Sequence, residues 1–258
     1  MCSDNADTRR DHVKTTVATF EMLEYLSRQN GATLTELSEE FELAKSTVHR
    51  HMTTLADLEY VIKDGSEYFI GLKFLQLSEQ ARHRKPGYQV ARDKVFELVD
   101  ETGERALFLV EELGRGVYMY RAGGTPPFRN DTMVGERRPL HALAAGKAIL
   151  AQWDENRLDS FLDNQDLWEL TRNTITDPEA LLEELTVVRD QGHAINDSEQ
   201  IEGLRAVGVP VFGPSGCVIG GLSVFGPVSR LNGEKFDAEV PEILKDKAHE
   251  IHVQLSLE

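Results

Sequence analysis

The chain has 258 residues, 40% hydrophobic and 7% aromatic, with 44 Asp and Glu against 28 Lys and Arg and a formal net charge of −16. That length suits two domains better than one. No apolar run approaches the roughly 18 residues a bilayer-crossing helix needs, the N-terminus MCSDNADTRRDH lacks a signal peptide's apolar core, and Cys2 and Cys217 alone make no disulfide framework. A helical membrane protein and a disulfide-stapled secreted domain are therefore excluded, and the expected setting is cytoplasmic.

Val13 to Arg28 carries Val13, Val17, Phe20 and Leu23 at helical spacing, and Gly31 follows as a stop signal. Thr33-Leu34-Thr35-Glu36 has the spacing of a capping box and opens a short helix to Phe41. After Glu42-Leu43-Ala44 comes LAKSTVHRHMTTL, residues 43–55, with no acidic residue. Val48, Met52 and Leu55 form one apolar stripe. Ser46, His49, Arg50 and Thr53 form a short, cationic opposite face. Two short helices joined so tightly predict a helix-turn-helix. The polar face suits a DNA major groove, where Arg donates two hydrogen bonds to guanine and Ser or Thr reaches bases or phosphates. Lys45, Ser46, Thr47, His49, Arg50 and Thr53 are the candidate DNA contacts.

From Tyr60 the period becomes alternating: Tyr60–Lys63, a turn at Asp64-Gly65, then Ser66–Ile70, which reads as a hairpin. Lys63 near its tip is a candidate phosphate contact. The charge balance argues the other way. Residues 1–80 hold 8 Lys and Arg against 14 Asp and Glu, which disfavours long-range attraction to nucleic acid. A diffuse acidic surface fits a halophilic cytoplasm, where molar salt screens charge over about 3 Å and close contacts must suffice. The alternative is a winged helix that pairs with protein rather than DNA.

Leu72–Arg84 is predicted as a connecting helix, ended by Pro86-Gly87. Its cluster Arg82-His83-Arg84-Lys85 either touches the DNA backbone or is a solvated linker. The expected organisation is a DNA-binding domain over 1–71, a linker helix over 72–86 and a second domain over 87–258. In the latter, Tyr88, Ala91, Val95 and Leu98 mark a helix ending near Gly103. Ala106–Val110 and Val117–Tyr120 form a hairpin about Gly114-Arg115-Gly116, and Ala122–Arg138 reads as a long, lid-like loop. Ala142–Gln152 is a small-residue helix. Asp177-Pro178 opens another, which Gly192 ends. His193–Asn196, Arg205–Phe212 and Val218–Phe225 are strands, and Asp237–Leu255 is a final helix. This order predicts an α+β class, with helices about an antiparallel sheet.

The first half, TLTELSEEFELAKSTVHRHMTTLADLEYV followed by a hairpin and GLKFLQL, resembles the IclR family of transcriptional regulators. The second half, through PLHALAAGKAILA, GHAINDSEQIEGLRAVGVPVF and VIGGLSVFGPVSRL, resembles the same family's GAF-like effector domain. The resemblance implies a double-stranded DNA operator, a small-molecule effector that is an organic or sugar acid (a sugar acid, an aromatic acid or a plain carboxylate), and no cofactor. In such a family the small-residue segment around Ala145 and Gly146, preceded by His141, binds an organic acid's carboxylate, as free helix amides favour anions. The resemblance further assigns Asn196, Ala206, Ser223 and Phe225 to the effector pocket, with Asp197 and Glu199 as stand-ins for an acidic residue of keto-acid binders. A side chain at Gly146 is expected to block the carboxylate without unfolding the protein.

Paired half-sites require a homodimer or a dimer of dimers. The first helix, with Phe20, Leu23 and Leu26, is expected to serve both its own core and the partner. No Cys/His cluster supports a metal, and no serine or cysteine sits in a nucleophile motif, so an enzyme is not expected.

Overall fold

The computed structural model describes residues 12–123 and 134–257. The chain forms two compact units, Met1–Ala81 and Arg82–Glu258. The N-terminal residues 1–11 and most of the expected loop Ala122–Arg138 lie outside the described residues.

In the first unit, α1 (Lys14–Gln29) closes at Asn30, which takes the left-handed conformation. β1 (Ala32–Thr33) leads into α2 (Leu34–Glu40), whose start is the capping box. Thr33 Oγ1 accepts from the Glu36 amide at 3.2 Å, and the Glu36 carboxylate accepts from the Thr33 amide at 2.7 Å. Two amides without intrahelical partners are thereby satisfied, worth about 1 kcal/mol. These bonds to Thr33 hold the Glu36 carboxyl below its ordinary value.

α3 (Lys45–Asp57) follows a turn pinned by Ser38, whose hydroxyl donates to the Leu43 carbonyl at 2.6 Å. Val48, Met52 and Leu55 of α3 join Met22, Leu23, Leu26 and Leu37 in one core, where truncating a large apolar side chain costs about 2–5 kcal/mol. β2 (Val61–Asp64) and β3 (Glu67–Ile70) pair antiparallel, and β3 also takes β1. The loop residues are Gly65 and Ser66, one step beyond the expected Asp64-Gly65, because Asp64 still pairs with Glu67. α4 spans Lys73–Arg82.

In the second unit, α5 (Pro86–Thr102) begins at Pro86. The proline expected to stop a helix instead starts the next one: its missing N–H costs nothing at a first turn. β4 (Arg105–Glu112), β5 (Arg115–Ala122), β6 (Arg137–Pro139), β7 (Ala194–Asp197), β8 (Leu204–Phe212) and β9 (Val218–Pro227) form one antiparallel sheet in the order β6-β5-β4-β9-β8-β7. The first hairpin turns at Leu113 and Gly114, φ +57° and +75°, a two-residue geometry that matches the strand twist. The expected Gly114-Arg115-Gly116 turn is therefore shorter, and Arg115 and Gly116 belong to β5.

One sheet face packs on α5 and α9 (Val240–Leu257) through Ala106, Phe108, Val207, Val209, Leu222 and Val224. The other, with Leu107, Leu109 and Tyr118, packs under α6 (Ala144–Leu150), α7 (Glu155–Asn164) and α8 (Pro178–Gln191). The period of two in β4, β8 and β9 assigns these faces. α7 escaped the sequence reading because only Leu158 and Phe161 of its ten residues are buried.

α6 lies hard against the sheet. An ideal Cβ on Gly208 would stand 2.3 Å from the Ala145 nitrogen, and one on Gly146 would stand 2.1 Å from the Leu140 carbonyl oxygen. Gly146 therefore faces the preceding 3₁₀ turn (Leu140–Ala142), and the expectation that valine is tolerated there is overturned. Gly146→Val should lower unfolding free energy by about 1–3 kcal/mol or more through overpacking against backbone. Urea denaturation followed by circular dichroism reads this; an unchanged midpoint would mean that the Leu140 turn yields freely.

Candidate DNA-reading helix and effector site

α3 turns its apolar stripe inward, which leaves Lys45, Ser46, His49, Arg50 and Thr53 exposed together and Thr47 half-buried. Thr53 Oγ1 and His49 Nδ1 approach to 3.4 Å. Arg50 has no side-chain partner among the described residues, so its guanidinium is available to an external acceptor. The helix is fixed in orientation from behind: His51 Nδ1 hydrogen-bonds with Thr19 Oγ1 of α1 at 2.8 Å. Lys63 is also exposed, on β2. Its ammonium lies 5.6 Å from the centroid of Tyr68, its cross-strand neighbour, which holds the charge near the hairpin tip. The other basic cluster is internal to the second unit. Arg84 pairs with Glu112 at 3.2 Å, and Arg82 and Lys85 lie over Tyr120 and Tyr88.

In the second unit the register gathers most of the expected effector residues. Asn196 pairs with Ala206, Ala206 with Phe225, and Phe225 with Arg105, a row across four strands. Ser223 lies in the neighbouring row between Gly208 and Leu107. Ala145 sits over this face at Gly208. Phe225 is flanked by two guanidinium groups, Arg105 at 6.0 Å and Arg121 at 5.5 Å from its ring centroid. Tyr118 closes one side, its hydroxyl accepting from Gln200 Nε2 at 3.1 Å. The arginines were missed because nothing in the local sequence says which face of a strand they occupy.

Three expected contacts take other roles. Asp197 neighbours Asn196 on a strand and so points to the opposite face, where it pairs with Arg205 at 2.7 Å. That hydrogen bond holds its carboxyl below the ordinary value. His141 is 1% exposed and its Nε2 is bound to the Trp168 carbonyl at 3.1 Å; burial lowers its pKa, so the ring is a neutral brace. Asn196 faces α6 and serves as a clamp. Its Nδ2 donates to the Ala142 carbonyl at 2.6 Å and its Oδ1 accepts from the Glu199 amide at 3.0 Å. The Ser223 hydroxyl donates to the Val207 carbonyl at 2.7 Å, which leaves its lone pairs as acceptors only.

Glu199 belongs to a buried charge cluster. Lys147, 1% exposed, donates to Glu199 and to Glu184, each at 2.8 Å. Thr174 Oγ1 donates to the Glu199 carbonyl at 2.6 Å, and Thr171 Oγ1 to the Ser198 carbonyl at 2.7 Å. The Lys of the Gly-Lys pair is thus a strut holding the segment after β7 onto α6. Glu199 Oε2 is buried without a hydrogen bond among the described residues.

Burial raises the Glu199 pKa above its ordinary value although Lys147 opposes it. With the folded pKa above the unfolded one, the proton binds more tightly to the folded state. Stability is therefore lost as pH rises from about 4.5 through the folded value, and no difference remains below both. Gln at 199 cannot titrate. The stability of Glu199→Gln minus that of the parent should climb across that window, as measured by urea melts at stepped pH. A flat difference would mean that Glu199 is ionised at no cost.

The chain matches the family described as "Bacterial transcriptional regulator IclR C-terminal" over residues 81–253 and the "IclR helix-turn-helix domain" over residues 18–65. It is 34% identical over 257 residues to the "Probable HTH-type transcriptional regulator ArcR" of Halobacterium salinarum, covering 98% of this chain and 97% of that one. It is 32% identical over 257 residues to the "HTH-type transcriptional regulator KdgR" of Escherichia coli, covering 99% and 97%. Among solved structures, the Thermotoga maritima IclR superposes with a TM-score of 0.83 at 28% identity, covering 95% of this chain and 100% of that chain. With the exposed cationic face of α3 and the polar sheet face under α6, these place the chain in the IclR family, as a DNA-binding transcriptional regulator whose operator binding is modulated by a small metabolite.

Proposed function

We propose that the operator is read by Lys45, Ser46, Thr47, His49, Arg50 and Thr53, with Lys63 at phosphate, and that the effector is an organic acid held on the sheet face around Ser223 and Phe225. The segment 72–86, which contains α4, joins the DNA-binding and effector domains in this reading. One observation carries the effector class: Arg105 and Arg121 flank the Phe225 ring. Two fixed cations beside an apolar ring suit a carboxylate on an apolar or aromatic body. The burial of Ala144–Leu150 supports anion partners on the strands rather than at the start of α6.

At least a homodimer supplies the paired half-sites. Leu23 and Leu26 are buried in the unit's own core. Val13, Val17 and Phe20 of the first helical segment, 68%, 39% and 59% exposed, are the part that supports a partner contact. Light scattering at working salt reads the mass.

For the DNA face, Arg50→Ala should weaken operator binding by about 1–3 kcal/mol and relax sequence preference, with an unchanged melt. Fluorescence anisotropy against operator and scrambled duplexes measures it, and parent-like affinity would remove Arg50 from the reading face. For the effector, a thermal-shift panel of carboxylates against their amides should show stabilisation by acids alone. Arg121→Gln should then weaken the best acid by about tenfold, a charge-assisted hydrogen bond's worth. If amides stabilise as well as acids, the sheet face does not bind carboxylates.

A further inference from the structure

A second concave surface lies at the other end of β8. β7 pairs with β8 only as far as Ala194 opposite Gly208. Beyond that register, Val209–Phe212 have no strand on their outer side among the described residues. A groove of about 570 Å³ opens there, within the range of small-molecule sites. Its floor is apolar, with Pro210 and Phe212 among the lining residues, and Arg189, Lys245, His249 and His252 also line it. Pro210 lacks the N–H that an added β-strand would need from this edge, which favours a small ligand over an extended peptide.

The basic groups come from two helices that converge on one groove. Arg189 of α8 donates through Nε to the Ala151 carbonyl at 2.7 Å. That bond orients the guanidinium and leaves its Nη atoms without a partner among the described residues. From α9, Lys245 is bound to Glu242 at 2.9 Å. His252 Nδ1 lies 3.4 Å from the Phe212 carbonyl, which leaves Nε2 for another partner. Among the described residues no carboxylate side chain lines the groove, though Glu242 pairs with Lys245 at its rim, in a chain of net charge −16.

We propose that this groove is a second ligand site for an amphipathic anion: an apolar or aromatic body seated on Pro210 and Phe212, with a phosphate or carboxylate met by Arg189 and Lys245, and His249 and His252 bordering them. It is separate from the face carrying Ser223 and Phe225 and does not rest on the effector reading.

The test is calorimetric titration of the full chain with 1-naphthyl phosphate, with 1-naphthoate to separate the two anion chemistries and 1-naphthol as the neutral control. Both anions should bind and the naphthol should not. The double substitution Lys245→Glu, His249→Glu should weaken binding by about tenfold or more, as one positive charge is reversed and a negative charge is added at the rim. Arg172→Gln, at an exposed arginine paired with Glu202 away from this groove, should leave it unchanged. In the unsubstituted protein, amide resonances of residues 245–252 should shift on titration, a readout independent of whether the variant folds. The proposal is overturned by any of four results: no binding at millimolar probe, naphthol binding as tightly as the anions, unchanged affinity in the double variant, or resonances 245–252 that stay still.

Discussion

The effector unit depends on one close approach, the backbone of α6 against the sheet at Gly208. A side chain at that glycine would occupy the space of the Ala145 nitrogen, so the helix can lie there only because the strand offers a bare Cα. Once α6 is seated, Asn196 reaches the Ala142 carbonyl and Lys147 reaches Glu199 and Glu184. The segment after β7 is then tied to the helix. The polar sheet face carrying Ser223 and Phe225 is a by-product of that geometry. The helix covers the Gly208 end, and the Phe225 end retains two arginines and a ring.

The buried ion cluster is better understood as a specifier than as a source of stability. Removing Lys147 from water has a cost of several kcal/mol, which only well-formed bonds to both carboxylates offset. What the cluster does is tie the segment around Glu199 to α6 through the two bonds of Lys147. Glu104, its side chain 2% exposed, is buried at the strand entry, where Arg230 and Lys235 pair with it at 2.9 and 3.1 Å.

Electrostatics in the DNA-binding unit work over a shorter range. The unit is acidic in sum, yet on the acid-free polar face of α3 Arg50 has no side-chain partner among the described residues, and it is presented from a helix braced by His51 and Thr19. Affinity must then come from contacts made at hydrogen-bond distance, because the long-range field opposes approach. Sequence preference is set by those few contacts.

Local rules determined what the sequence alone could show. The capping box at Thr33, the stripe of Val48, Met52 and Leu55, and the alternation in β2, β3, β8 and β9 all depend on neighbours within a few residues, so the helix-turn-helix, its hairpin and the antiparallel sheet were legible. The row Asn196, Ala206, Phe225 was foreseen only through resemblance, and the pairing of distant strands made it a surface. What the tertiary structure decided was orientation. Asp197 and Asn196 are adjacent in sequence, but the strand's period of two puts one on Arg205 and the other under α6. Gly146 looked like an opening for a ligand and proved to be a contact with Leu140, because a missing side chain shows in sequence while the atom that fills its place does not. Arg105 and Arg121 came together over Phe225 for the same reason: strands distant in the chain set that neighbourhood, and only the folded register brings them side by side.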